Sequence, residues 1–260
     1  VLLVVADVIT RRESRMGEPR HVLLPCLTVI GLGAALMIAQ NDLGSAIVLA
    51  AIGLTLLFLG GAPVLPMAGV SLGFGGAAVG FALSTPYRRQ RWTAFLDLMH
   101  TREGEGYQTW QSILSISNGG ITGSGVGAGS GKWGYVPLAH SDFIFAVLAE
   151  ELGLLGVFAV LGAFVAFIWA GSLVALASRH RFGSLVAGGV VAWVGIQTII
   201  NVGGVVGVLP VTGLTLPFLS YGGSSLMTLM AAGGLAPAIA VWAGWQWALA
   251  LNALLTSLGG

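Results

Sequence analysis

Six apolar runs, each long enough or nearly long enough to cross a bilayer, constrain this chain more than any other feature: His21–Ala39, Leu43–Gly60, Val64–Ser84, Phe143–Ser178, Phe182–Leu209 and Ser225–Leu251. A hydrocarbon core about 30 Å thick takes about 20 residues of helix. Inside it, backbone N–H and C=O groups have no water to bond, so spanning segments of this kind are helical. Of 260 residues, 56% are hydrophobic and 8% charged, whereas soluble domains carry about a quarter charged residues. The mean hydropathy of +0.91 agrees and excludes a soluble class. Val1–Thr10 is apolar but meets Arg11 too early to span, and reads as the end of a further span whose beginning is absent. The expected fold is an all-α polytopic membrane protein. It is a bundle of about six complete transmembrane helices plus a partial one, a single membrane domain over residues 1–260.

Basic residues orient the spans. Arg11, Arg12, Arg15 and Arg20 crowd one short connector, and Arg179 and Arg181 flank His180 in another, so both connectors belong on the cytoplasmic side. Threading the spans alternately puts residues 40–42 outside, 61–63 inside and the polar segment 85–141 outside as a large external loop. The parity closes, because the run that starts after Asp142 returns to the Arg179 connector. Against the usual bias, Arg88, Arg89, Arg91, Arg102 and Lys132, five of the eleven basic residues, fall in the external loop. Such a set suits an anionic, lipid-linked group, with arginine forks matched to diphosphate oxygens; the alternative is a solvated loop with incidental charge. No Asp, Glu, Lys or Arg follows Arg181, so the last two spans supply no charged chemistry.

Asp142 stands where the polar loop becomes a membrane-length helix. Ionisable groups at the edge of hydrocarbon are uncommon and usually face a cavity or a partner, so Asp142 is the first candidate for a catalytic group. Glu150 and Glu151 follow roughly 12–14 Å deeper, on helix faces about 100° apart, and serve either structural pairing or a substrate channel. His140 is a titrating neighbour assigned to orienting the loop beside the substrate. Asp42 either caps the helix starting at Leu43 or supports the active cavity. The stretch Leu209–Ser225 holds two prolines and three glycines between apolar runs, too many for regular helix, and reads as a re-entrant loop closing the cavity opposite Asp142. Within it, Ser220, Tyr221, Ser224 and Ser225 either contact a sugar or phosphate or satisfy the broken backbone. Residues 106–117 suit a short interfacial helix, and the glycines running on to Gly131 a flexible turn region. Cys26 lies alone in an apolar run, so cysteine redox chemistry and metal binding through cysteine are disfavoured.

Taken in order, Gln40–Gly44, Tyr87–Asp97, Gly106–Ser112, Ala139–Gly153 and Leu209–Ser225 resemble the SEDS family of bacterial cell-wall polymerases over nearly the whole chain. The Arg-rich Tyr87–Phe95 and Lys132–Tyr135 look more like its FtsW/SpoVE branch than RodA. Asn41 stands where the family usually has proline, Ser141 where threonine is usual, Leu98 where proline is common, and Val136-Pro137-Leu138 replaces a Leu-Pro-Glu. The resemblance implies a peptidoglycan glycosyltransferase that polymerises lipid II outside the membrane and releases undecaprenyl pyrophosphate, with Asp142 as general base. Arg88, Arg89, Arg91 and Lys132 then hold the leaving diphosphate. A divalent cation, magnesium or manganese, can share that task, with no ligand set identified; no organic cofactor and no nucleic acid is implied. The implied partners are a class B penicillin-binding protein and other divisome or elongasome proteins, and the implied location is the bacterial plasma membrane, at the division septum. The rivals are a lipid II transporter (flippase), for which buried Glu150 and Glu151 also suffice, and a non-catalytic scaffold.

Overall fold

The computed structural model describes residues 1–16, 18, 20–84, 86–104, 106–129, 141–235 and 238; within these, the side chains of residues 86–88 and 91 are not described. The described residues are helical, in the order α1 (Leu2–Arg11), a 3-10 turn at Glu13–Arg15, α2 (Leu23–Ala39), α3 (Leu43–Gly60), α4 (Val64–Leu83), α5 (Pro86–Leu96), α6 (Leu98–Thr101), α7 (Tyr107–Gly119), α8 (Ile144–Ala177) and α9 (Arg181–Val205). A last helical stretch, α10, covers residues 223–235. Among them α3, α4, α8 and α9 are long and apolar enough to cross a membrane, with α2 a shorter apolar helix. The chain is a multi-pass membrane protein. The boundaries expected for the first five runs hold to within a few residues, and most of the sixth lies outside the described residues.

Two apolar clusters hold the bundle. In the first, Val5 and Ile9 of α1, Cys26 and Ile30 of α2, Ile52 and Leu56 of α3, and Leu185 and Val186 of α9 pack together. Gly53 admits Ile30 where a Cβ would lie 2.4–2.6 Å from its side-chain carbons, so α2 and α3 meet closely through a small residue, as membrane helices do. The second cluster joins Phe143 and Phe145 at the start of α8 to Phe164, to Val194 and Val205 of α9, and to Leu216 and Leu229. By contrast, Leu65 and Leu72 of α4 and Phe158 and Trp169 of α8 face outward, an apolar perimeter suited to lipid.

The two ends of the bundle differ in chemistry. At one end, Arg181 donates from Nη2 to the carbonyls of Leu59 (3.2 Å) and Gly60 (3.0 Å) at the close of α3, and its Nε lies 3.4 Å from Glu13. Gly61, at φ 89°, lets the α3 terminus turn, with Ala62 N–H donating back to Leu57. The connectors around residues 11–20, 61–63 and 179–181 therefore share one end, as the threading of spans requires. At the other end, Gly44 sits so close to the Leu209–Ser225 segment that a Cβ would lie 2.8 Å from the carbonyl of Thr212.

The largest departure from expectation is in α8. Its length predicts a helix that tilts or projects; instead it breaks at Gly153, whose φ 66° and ψ −163° lie outside helix. The glycine-rich segment after α7 repairs the break. Ser124 and Gly125 N–H donate to the carbonyls of Glu150 (3.0 Å) and Glu151 (3.1 Å), while Leu154 and Leu155 N–H donate to the carbonyls of Gly120 (3.0 Å) and Ile121 (3.3 Å). This backbone-to-backbone seam leaves no room for side chains. A Cβ on Gly119 would collide with the carbonyl of Ala149, one on Gly123 with that of Glu151, and one on Gly153 with Gly123 N. The segment expected to be a flexible turn is, up to Gly125, a fixed splice. Beyond it, residues 154–177 at about 1.5 Å per residue reach about 36 Å, enough to cross hydrocarbon unaided.

The splice gives a direct expectation. Gly123→Ala forces a side chain into a left-handed φ of 81° and onto the Glu151 carbonyl. The conformation alone costs about 1–2 kcal/mol. The variant's thermal midpoint in detergent should fall by several degrees, whereas Gly120→Ala, at φ 55° but with open space around it, should fall less.

Candidate active site

Asp142 lies two residues before the first residue of α8, whose unpaired N–H groups favour negative charge nearby. Phe143, buried to 1% exposure in the second apolar cluster, anchors it from below. Across from it runs the irregular segment that follows α9. Oδ2 of Asp142 points at Gly213 of that segment, where a Cβ would stand 3.7 Å away, and Gly213 itself takes φ 75°. Asp142 and Phe143, Ile200, Asn201, Gly204 and Val205 of α9, and Val211 to Leu214 line a narrow cleft with room for about one water. The expected closure of a cavity opposite Asp142 by a proline- and glycine-rich loop is thus what the fold contains.

The loop is held to α8 and α9 by side chains. Ser220, only 4% exposed, donates to the carbonyl of Ser141 (2.6 Å) and accepts from Leu216 N–H (2.7 Å). Of the two readings weighed for this serine, the geometry shows the one in which it satisfies broken backbone. Gln197 of α9 donates to the carbonyl of Thr215 (2.8 Å) and accepts from Trp193 Nε1 (2.7 Å), while Thr215 and Ser225 share a hydroxyl hydrogen bond of 2.9 Å. Asn201, one turn further along α9, donates from Nδ2 to the carbonyls of Asp142 (2.9 Å) and Leu214 (2.5 Å). These groups escaped the sequence reading, which looked for charge after Arg181 and found none. Their signal is legible in retrospect: Gln197 and Asn201 recur at four residues, on one face of an apolar span, where polar side chains need partners.

The other candidates fall in three groups. Asp42 caps α3, its Oδ1 accepting from Ser45 N–H at 2.9 Å, and its connector abuts the loop through Gly44, so the capping reading holds at the same end of the bundle as Asp142. Glu150 is 3% exposed, and Glu151 is half-buried. A Cβ on Gly129 would lie 3.3 Å from Oε2 of Glu150 and 2.9 Å from Cγ of Glu151. Gly129 of the loop thus lies against both side chains. Tyr221 and Ser224 are exposed beside the loop.

Of the basic set, the side chains of Arg89 and Arg102 fall among the described residues. Arg89 is exposed on α5 and donates to the carbonyl of Leu83 at the end of α4 (3.3 Å); α5 packs against α4 and α6, none of which lines the Asp142 cleft. The side chains of Arg88 and Arg91, and all of Lys132 and His140, lie outside the described residues. Arg102 lines a separate groove with Glu103, Tyr107, Trp110 and Gln111. Next to it Asp97, hydrogen-bonded to His100 Nδ1 at 2.7 Å, has its carboxyl held below the usual range by that bond. Helix α7, predicted as a short amphipathic helix, plugs the end of α9: Ser112 donates to the Val205 carbonyl at 2.7 Å. Among the described residues no three of His, Cys, Asp and Glu gather as a metal-ligand set.

With this geometry in place, comparison with known proteins is decisive. The FtsW/RodA/SpoVE family model, described as cell cycle protein, matches residues 1–243. The chain belongs to this family. Similar family members include a protein of Coxiella burnetii named Probable peptidoglycan glycosyltransferase FtsW, 39% identical over 87% of this chain and 62% of its own length. Stage V sporulation protein E of Bacillus subtilis is 37% identical over 88% of this chain and 63% of its own. Among solved structures, a chain of a peptidoglycan synthase complex superposes with a TM-score of 0.69 at 31% identity, covering 90% of this chain and 66% of that one. Thermus thermophilus RodA superposes at 0.58 with 29% identity, over 90% of this chain and 60% of its own. The chain thus spans about three-fifths of the length of these curated family members.

A hydroxyl that bonds two pieces of backbone acts on stability before it acts on substrate. Ser220→Ala strands the buried Leu216 N–H and should cost about 1–3 kcal/mol. The expected result is a lower thermal midpoint with an unchanged KM for substrate in the full-length protein.

Proposed function

We propose that this chain forms the catalytic membrane domain of a peptidoglycan glycosyltransferase that polymerises lipid II at the outer membrane surface, with Asp142 as general base. The observation that carries the reading is the position of the Asp142 carboxylate, in a cleft between the N-terminus of α8 and the Leu209–Ser225 loop, at the end of the bundle away from the arginine connectors. Family members named as peptidoglycan glycosyltransferases support the reaction class.

In this mechanism an acceptor sugar hydroxyl bonds to the anomeric carbon of the donor as its proton passes to the Asp142 carboxylate. The bond from that carbon to the diphosphate breaks with inversion, and the electron pair leaves on undecaprenyl pyrophosphate. A positioned base of this kind contributes about 10²–10⁴-fold. The departing group carries several negative charges, so Arg88, Arg89, Arg91 and Lys132 of the external segment are assigned to its stabilisation. His140, Tyr221 and Ser224 are assigned to sugar or phosphate contact, and Ser220 acts by holding the loop that presents them. A magnesium or manganese ion held by diphosphate oxygens would neutralise part of the same charge.

The proposed setting is the bacterial plasma membrane at the septum, beside a class B penicillin-binding protein and other divisome or elongasome components. The synthase complex whose chain shares this fold supports a partnered assembly. The test is polymerisation of lipid II by the full-length protein in detergent, where no compartments exist. Asp142→Ala and Asp142→Asn should insert normally and lose glycan synthesis by at least about 10²-fold. Undiminished polymer from either variant overturns the assignment; a native protein that moves lipid II across vesicles yet makes no polymer points to the transporter instead.

A further inference from the structure

Asn201 combines two features that the roles given above leave unexplained. Both of its amide donations go to main-chain carbonyls, that of Asp142 on one side and that of Leu214 on the other. The oxygen and nitrogen of the carboxamide are thereby distinguished, since two carbonyl partners require the NH₂ end. Its Oδ1 is then left buried without a hydrogen-bond partner among the described residues, in a residue that is 5% exposed and lines the Asp142 cleft. A buried acceptor with no donor costs free energy that a core amide normally recovers by pairing.

We propose that Asn201 is a positioning residue for the general base: it locks the Asp142 main chain to the Leu214 carbonyl of the loop and holds one buried, unpaired acceptor in the wall of the cleft. This inference rests on the reading of Asp142 as the base. The tie sets the separation across which Oδ2 of Asp142 faces Gly213, because Leu214 is the next residue of the loop. Without it, α8 and the loop lose a side-chain bond that ties the acid's own peptide unit to α9. The unpaired oxygen has a chemical use at this point. An acceptor sugar hydroxyl approaching Asp142 donates one proton, to the carboxylate, in the reaction. The oxygen is closed off as the cleft stands, with room for about one water; once the cleft widens around a bound sugar, a water or a second hydroxyl can donate to Oδ1 and fix the ring's orientation.

The groups packed around it supply no substitute. Gln197 is engaged with Trp193 and Thr215, and Thr198, a turn earlier on α9, has a buried hydroxyl that is itself without a partner among the described residues. Ser220 holds the loop to Ser141, adjacent to Asp142, from the opposite side. Asn201 and Ser220 thus fasten consecutive peptide units, and only Asn201 does so from the cleft.

The experiment measures lipid II polymerisation and thermal midpoint for the full-length protein carrying Asn201→Ala, Asn201→Asp and Asp142→Ala. Misplacing a catalytic group by about 1 Å can cost about 10²-fold. Asn201→Ala should therefore lower kcat by about that factor while KM for lipid II stays within about twofold. If Asn201→Ala does not fold, the near-isosteric Asn201→Asp carries the test, since its carboxyl offers the two carbonyls one O–H donor when protonated and none when ionised, and should show the same split. Native kcat in the folded variants, or a loss that falls wholly on KM, or a fall in thermal midpoint with no fall in kcat of the folded fraction, overturns the proposal. Inactive Asp142→Ala beside fully active Asn201→Ala removes the Asn201 role alone. Active Asp142→Ala removes the base itself, and Asn201's role with it.

Discussion

Hydrocarbon offers no hydrogen bonds, and the structure around Asp142 is largely a response to that fact. Two stretches of backbone leave helix within the bundle: α8 at Gly153, and, beside the acid, the segment between α9 and α10. Each exposes N–H and C=O groups that lipid cannot satisfy, so irregular backbone is tolerated at such depth only where protein or a wet cavity meets it. The two repairs use different means. At Gly153 another backbone supplies the missing donors and acceptors, which is why glycines lie against main chain there. After α9, the side chains of Gln197, Asn201 and Ser220 supply them, which is why polar residues punctuate an otherwise apolar span.

The difference decides what each region can do. A backbone splice fixes position with no side chain to spare, so Gly119, Gly123 and Gly153 set a rigid floor beneath the loop that covers Glu150 and Glu151. A side-chain brace leaves gaps between its struts. The cleft beside Asp142 is one such gap, bounded by glycines at 204 and 213 that keep it from filling. Phe218 contributes to the same end. It holds φ 63°, a conformation unfavourable for a bulky residue, and is kept there against Phe167, ring centroids 5.4 Å apart. The loop is thus over-determined at its rim and open at its centre.

Sequence pattern disclosed the spans, their parity and the acid, because each depends on composition over many residues or on one charge in an apolar setting. The common end shared by Arg181, Glu13 and the α3 terminus followed from counting spans. The break in α8 was not readable, since a single glycine within a 34-residue apolar helix looks like the packing glycines elsewhere in the bundle, and its cause lies in a loop some 30 residues upstream. Asn201 was overlooked for the converse reason: an uncharged amide in a span passes every hydropathy test, and its importance comes from two carbonyls that sequence distance hides.

Asn41 shows how far a family resemblance carries and where backbone takes over. The residue sits at φ 61°, a region that asparagine visits more readily than most side chains and that proline, locked near −65°, does not reach. A proline here would force the turn between α2 and α3 along another path, whereas the contacts after it come from other residues: Asp42 caps α3, and Gly44 lets the helix start press on the Thr212 carbonyl. What the connector must preserve is therefore the approach of α3 to the loop rather than the path of the turn. That approach sets one edge of the segment whose other edge faces Asp142, so the constraint on this short connector reaches it from the acid cleft, across the loop.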